Sequence, residues 1–327
     1  NVFKKLGYKT HSEFYVNDTG GQIRRLGASA YAWADVFAGK TQTPRILEGG
    51  YHGSYVEGVS REWRKIYPDA YPIADQNEDD YFESVGTVIS EIIQESQHKT
   101  LEGFGIVFDR WFKESELKLP IDELMGRQNQ PTAEEVFRMM AEKNLTYQKD
   151  GAVYFKASDF GDSEDRVVKT SADRFTYIVA DIAYHLRKHR HYDKAVNLLG
   201  PDHHGHILKL KSALKALLGK EPDFFHPIII QQVNLKRDGK PIKVSKRAGV
   251  GITLDDLIEE VGVDASRFFF LMRRTSSPLD FDLELATRHT EDNPVYYVQY
   301  AHARIRSILR QPAAREYFSP QDINLGK

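Results

Sequence analysis

The sequence contains no cysteine, which excludes disulfide staples, a thiol nucleophile and zinc sites built on thiolates. It also lacks any apolar run approaching the roughly eighteen residues that a spanning helix needs. Its densest patch, Phe268-Phe269-Phe270, is short and flanked by Arg267 and Arg273, so no transmembrane helix is expected. An excess of one charge sign is missing too: 45 Lys and Arg stand against 47 Asp and Glu, a formal net charge of −2. Any contact with nucleic acid must therefore be local and not a property of the whole surface. The first residues show no apolar core of a secretory signal, and with cysteine absent a reducing, cytoplasmic setting is the expectation. No internal repeat or low-complexity tract occurs.

What is present describes an ordinary globular chain. Its 327 residues, 41% hydrophobic and 28% charged, suffice for two or three folded units with sizeable cores. Residues 9–17 read as a strand through Phe14, Tyr15 and Val16, closed by the turn formers Asn17-Asp18-Thr19-Gly20-Gly21. The spacing of Ile23, Leu26, Ala30, Trp33 and Phe37 then suits one face of a helix. A loop-rich stretch with a short helix near 56–66 follows, then a helix over 81–96 and a strand at 105–112. Further on, the pattern predicts a helix opening at Pro131, strands at 152–156, 166–169 and 175–179, and a helix from Asp181. Beyond these come a strand at 196–199, a helix over 207–218 and a strand over 227–236. Such alternation predicts an α/β, parallel, doubly wound sheet, in which ligands bind beyond the carboxyl ends of strands. After residue 250 the chain turns helical: Thr253 with Asp256 resembles a capping box, Gly262 is a stop, and a second start follows at Asp264. From Asn293-Pro294 on, Val295, Val298, Tyr300, Ala301, Ile305 and Leu309 mark a long amphipathic helix.

Two basic runs stand out, 187–191 and 236–247, although a charge run is usually a solvated face. The second contains Lys243-Val244-Ser245-Lys246-Arg247, two lysines three apart around a hydroxyl with Gly249 and Gly251 close behind. A mobile cationic loop of this kind suits a polyphosphate, whose developing charge must be met by cations in phosphoryl chemistry. Five such residues alone could equally be a solvated basic loop. The histidine-rich segment Asp202-His203-His204-Gly205-His206 invites a metal reading, but alternate histidines on one turn need further ligands from elsewhere.

The KVSKR loop resembles the KMSKS signature of class I aminoacyl-tRNA synthetases, and the stretch that follows it is similar to the arginyl-tRNA synthetase family in particular. Tyr15-Val16-Asn17-Asp18, Gly50-Tyr51-His52-Gly53-Ser54-Tyr55, Phe108-Asp109-Arg110-Trp111-Phe112 with Glu114, and residues 177–185 also resemble that family, in its own order. The resemblance implies a mostly parallel Rossmann-like sheet with an inserted connective region and a C-terminal all-helical segment. It divides the chain into the remainder of a first Rossmann half (1–45), the connective insertion and following elements (46–135), and a second half with the arginine and ATP site (136–240). Next come the KMSKS-like loop with a stem-contact region (241–292) and the start of a helical anticodon-binding domain (293–327). It also implies a longer enzyme, with an N-terminal domain and a HIGH-like phosphate-binding motif ahead of Tyr15, so the chain alone is expected to bind substrates weakly and not to turn over.

By that resemblance Asn17, Asp18, Tyr177 and Asp181 hold arginine. A carboxylate accepts a guanidinium fork, and an aromatic ring can lie beside it, a geometry lysine cannot match. The residues alone also admit an Asp181 that merely caps its helix and a Tyr177 buried in a strand. Gly200, Asp202, His203, His204 and Gln232, with its neighbour Gln231, are expected at ATP, and Lys243, Ser245 and Lys246 at its phosphates, with Mg²⁺. The implied function is arginine activation by ATP and transfer to tRNA(Arg) by a monomeric ligase. The alternatives are a non-catalytic synthetase-like module binding tRNA or protein, and a histidine-based metal hydrolase.

Overall fold

The computed structural model describes residues 2–69, 77–117, 131–242 and 251–311. They fall into two compact units, one up to Gln231 and the other from Gln232 onward.

The first unit opens with a short helix α1 (Val2–Lys5) and strand β1 (Glu13–Val16), which turns into helix α2 (Gly21–Phe37). Helices α3 (Ser54–Ile66) and α4 (Glu78–Gly103) follow, and Trp63, Tyr81, Phe82, Val85 and Ile89 bury against Leu26, Ala30 and Ala34 of α2. The crossing of α2 and α4 depends on two glycines. A Cβ on Gly27 would lie 1.9 Å from the Phe82 carbonyl oxygen, and one on Gly86 2.0 Å from that of Ile23. Strand β2 (Arg110–Lys113) pairs parallel to β1, placing Phe14 opposite Trp111 and Tyr15 opposite Phe112. It is shorter than the strand expected over 105–112 and leads into a single 3₁₀ turn, Glu114–Leu117.

Helix α5 (Ala133–Glu142) begins where Thr132 accepts the Glu135 amide proton. An antiparallel sheet of β3 (Thr146–Lys149), β4 (Ala152–Phe155) and β5 (Arg166–Lys169) comes next. β3 was not anticipated, although Asp150-Gly151, with φ of 52° and 75°, is the pair that a two-residue hairpin favours. The strand expected at 175–179 is instead the start of helix α6 (Tyr177–His191), with Thr176 as its N-cap residue. Burial of Ile178, Val179, Ile182 and Ala183 along one helical face overrides the strand preference of Tyr-Ile-Val. Strands β6 (Ala195–Leu199) and β7 (Phe225–Ile229) pair parallel around helix α7 (His204–Leu218), with Leu210, Leu214 and Phe225 in the same core as Phe112 and Ile182.

The run expected as one strand over 227–236 is two. The β6–β7 ladder ends as the Ile230 amide donates to the Leu199 carbonyl, and β8 (Val233–Arg237) pairs in the second unit. There β8 lies between β9 (Lys240–Pro241), joined by an Asp238-Gly239 hairpin, and β10 (Leu279–Asp282), its parallel neighbour. Helix α8 (Leu254–Val261) carries the anticipated capping box of Thr253 and Asp256, and α9 (Val263–Leu271) starts directly after Gly262. Helices α10 (Leu283–Thr287) and α11 (Pro294–Leu309) complete the unit. Buried Asn293 caps α11 and donates to the Ala286 and Arg288 carbonyls. The apolar face expected along α11 stays largely exposed, because Val295 alone of that helix enters the core of Leu257, Phe269 and Phe281.

Candidate arginine pocket

Tyr177, Asp181 and His185 recur at four-residue intervals on α6 and so share one helical face. Tyr177 is 70% exposed, not the buried strand aromatic that the residues alone allowed, and Asp181 lies in the second turn, too far along to cap the helix. The Tyr177 hydroxyl comes within 3.9 Å of the position a Cβ on Gly20 would take, which brings the turn after β1 alongside α6. Gly20 sits at φ +85°, a conformation L side chains rarely adopt.

Within that turn Asn17 is exposed, whereas Asp18 is buried. The Asp18 carboxylate accepts from the Ser115 amide at 2.9 Å and from its hydroxyl at 2.6 Å, tying the turn to the 3₁₀ segment after β2. Burial raises the Tyr15 phenol far above its ordinary range, and the charges of Glu114, Asp181 and Asp18 raise it further. The charges of three carboxylates from three segments therefore act on one part-buried ring. Glu114 is itself buried. It follows the Phe108–Phe112 stretch that resembles the family, but a lone glutamate after a strand carries no local signal of a binding role.

Beneath Asp181 the helix is held by a buried polar network. His185 Nδ1 lies 2.7 Å from the Asp181 carbonyl oxygen and Nε2 lies 2.7 Å from Asn197 Nδ2. Nδ1 is thus the donor to the carbonyl and Nε2 the acceptor from the amide, a neutral tautomer. Burial lowers the His185 pKa to about 3. Lys188 donates to Asn197 Oδ1 at 3.2 Å and lies 4.0 Å from the centre of the Tyr184 ring. Burial pushes its pKa down to about 8, against the pull of Glu13 and Asp181. Arg187 is buried as well, donating to the carbonyls of Pro131 and Glu116. The 187–191 run is not simply the solvated face that such runs usually form.

The 200–206 segment forms a 3₁₀ turn, Pro201–His203, that runs into α7. A Cβ on Gly200 would lie 2.7 Å from Oδ1 of the exposed Asp202, whose carboxylate would have to turn aside. Asp202, His203 and His204 are exposed, with His203 Nε2 3.8 Å from the Asp202 carboxylate. The histidine that reaches α6 is a different one: His206 Nε2 lies 3.1 Å from Asp181 Oδ2. Among the described residues, no three side chains of metal-ligand type converge. Gln231 belongs to the first unit and Gln232 to the second, where the exposed Gln232 accepts the Leu279 amide on its carbonyl. Lys243, Ser245 and Lys246 lie outside the described residues.

A sequence model of the family described as tRNA synthetases class I (R), catalytic domain, matches residues 1–273. The chain belongs to that family. Arginine–tRNA ligase from Nitratidesulfovibrio vulgaris (strain DP4) is 38% identical over 326 residues, 99% of this chain and 56% of its own length. That from Thermotoga maritima is 41% identical over 310 residues, 94% of this chain and 54% of its own. The chain thus spans about half the length of the curated relatives it matches. A crystal structure described as a candidate arginyl-tRNA synthetase from Campylobacter jejuni superposes with TM-score 0.80 at 30% identity, covering 94% of this chain and 64% of that one. The Thermus thermophilus arginyl-tRNA synthetase, 18% identical with TM-score 0.67 and covering all of this chain and 61% of its own, shares the fold. The class I catalytic-domain architecture, an α/β Rossmann-like arrangement with parallel strand pairs and C-terminal helices, is thereby established. Among the described residues no helix is long and apolar enough to cross a membrane.

Proposed function

We propose that this protein serves an arginine–tRNA ligase, forming arginyl-adenylate from arginine and ATP and passing the arginyl group to the 3′ end of tRNA(Arg). The observation that carries the reading is the placement of Asp181 one turn after exposed Tyr177 on α6, with the charges of Glu114 and Asp18 acting on Tyr15 alongside that of Asp181. A part-exposed acid in a region to which Glu114 and Asp18 also bring negative charge favours a planar cation that donates in two directions at once. Asp181 would take the guanidinium fork, Tyr177 would cover it, and the exposed Asn17 amide would meet the amino-acid end. Asp18, already accepting from Ser115, would hold the turn and add its charge.

In the first step the arginine carboxylate oxygen attacks the α-phosphorus of ATP and pyrophosphate leaves. Lys243 and Lys246, with Ser245 between them, would balance the charge that collects on the phosphates, together with Mg²⁺ arriving as part of the nucleotide substrate. Gly200, Asp202, His203, His204 and Gln232 are the candidates for the nucleoside. In the second step a terminal ribose hydroxyl of the tRNA attacks the adenylate carbonyl and AMP leaves, with no covalent enzyme intermediate. A monomer working in the cytoplasm, where charged tRNA is used, belongs to the same proposal.

Calorimetric titration with L-arginine, L-citrulline and L-lysine tests the pocket. Arginine is expected to bind, its neutral isostere citrulline and lysine to bind far more weakly, and Asp181→Asn to weaken arginine by about 100-fold. Equal affinity for citrulline and arginine would refute the assignment.

A further inference from the structure

Asp181 does not face solvent alone. His206, in the first turn of α7, sets Nε2 3.1 Å from Oδ2, and both side chains are about a quarter exposed. On its other flank the His206 ring meets His203 edge-on, with ring centres 5.9 Å apart, and His203 neighbours Asp202. From α6, His185 also feels the charge of His206, but it is committed to the Asp181 carbonyl and Asn197 and stays neutral down to about pH 3. Of the α6 cations nearby, Lys188 is directed to Asn197 and the Tyr184 ring, and Arg187 to the carbonyls of Pro131 and Glu116.

A carboxylate offers about four lone-pair sites, two on each oxygen. A guanidinium fork uses one on each, so Oδ2 retains a site for an imidazole N–H. Neutral His206 can therefore bond to Asp181 and steady its plane while arginine is bound. Protonated His206 is a different partner, an internal cation within hydrogen-bond distance of the charge that arginine needs.

We propose that His206 is a positioning residue of the guanidinium pocket and makes arginine capture pH-dependent, orienting Asp181 when neutral and competing with arginine for it when protonated. This rests on the reading of Asp181 as the guanidinium partner. The sign follows from linkage: arginine prefers the form with neutral His206, so binding releases a proton and affinity falls as pH falls.

The test is titration of the chain with L-arginine at about pH 8 and about pH 5.5. The unmodified protein is expected to lose affinity about tenfold over that interval, a part-exposed charge interaction being screened to that order. His206→Gln keeps an amide donor but has no proton to gain. It is expected to match the parent at the upper pH and change less than about twofold on acidification, while His98→Gln, at an exposed position on α4 outside the site, retains the parent's dependence. Loss of the dependence in His98→Gln, or its persistence in His206→Gln, would overturn the proposal. A measurement without any variant runs alongside. The NMR titration midpoint of the His206 ring must drop when arginine is saturating, and an unmoved midpoint would also overturn it. A folded parent that binds no arginine at the upper pH would instead sink the pocket reading itself.

Discussion

His185 is buried, yet both its ring nitrogens are used. Such an imidazole can take a second proton only by losing its acceptor bond and bringing a charge into a dry interior. Its folded pKa of about 3 lies below the ordinary 6.5, so the unfolded chain is protonated first as pH falls. The resulting penalty on the native state is absent above pH 6.5 and grows down to about pH 3. Denaturant titrations at pH 7 and about pH 4.5 should therefore show the parent losing roughly 2–3 kcal/mol more than His185→Gln over the same interval. Parallel losses in the two proteins would show that this proton is not taken up on unfolding. Around this histidine, sequence and structure diverge. Tyr177 and Asp181 stood out through family likeness, and their spacing was enough to put them on one face once a helix was assumed. Nothing local distinguishes His185 as buried, or His206 from its two neighbours as the one that reaches Asp181.

At the scale of elements, the contact of α2 with α4 illustrates how a small residue can determine a crossing. Gly27 and Gly86 each let the opposing backbone approach to where a methyl group would stand. Gly86→Ala is expected to destabilise by about 3 kcal/mol or more, since the neighbour is a carbonyl oxygen and cannot rotate away. Gly58, on exposed α3 with open space around it, is the contrast: Gly58→Ala should stabilise by up to about 1 kcal/mol through helix propensity. Thermal or urea unfolding of the pair checks both, and a Gly86→Ala protein as stable as its parent would mean the two helices do not meet this closely. Helix ends were readable because caps are local chemistry, as at Thr132, Thr253 and Asn293. The strand assigned at 175–179 failed because Tyr-Ile-Val has strand propensity and yet its burial is helical. The single strand over 227–236 failed because a sheet boundary falls inside a continuous apolar run.

For the molecule as a whole, arginine recognition and phosphate handling are assigned to separate sets of residues, Asp181 with Tyr177 and the 243–247 loop. Their roles should separate in kinetics. In the intact enzyme, Lys246→Ala is expected to abolish ATP–pyrophosphate exchange measured with tRNA present while changing the arginine dissociation constant by less than about twofold, because the ammonium meets charge that develops on phosphate and not on the guanidinium. Parallel loss of exchange and arginine binding would contradict that division. The near-zero net charge places the same demand on RNA binding: a local surface must do it, since no long-range field favours it.

By itself the sequence determined the family and the order of most helices and strands. Periodicity, caps and short motifs are written in neighbouring residues, whereas the shared helical face of Tyr177 and Asp181 emerged only with the helix Tyr177–His191. Tertiary structure alone decided which histidine of 203–206 meets Asp181, that Asp18 braces Ser115, that Glu114 and Asp181 both charge the surroundings of Tyr15, and where one sheet ends and the next begins. Those are contacts between segments far apart in the chain, set by packing, and no local pattern of side chains encodes a partner that distant.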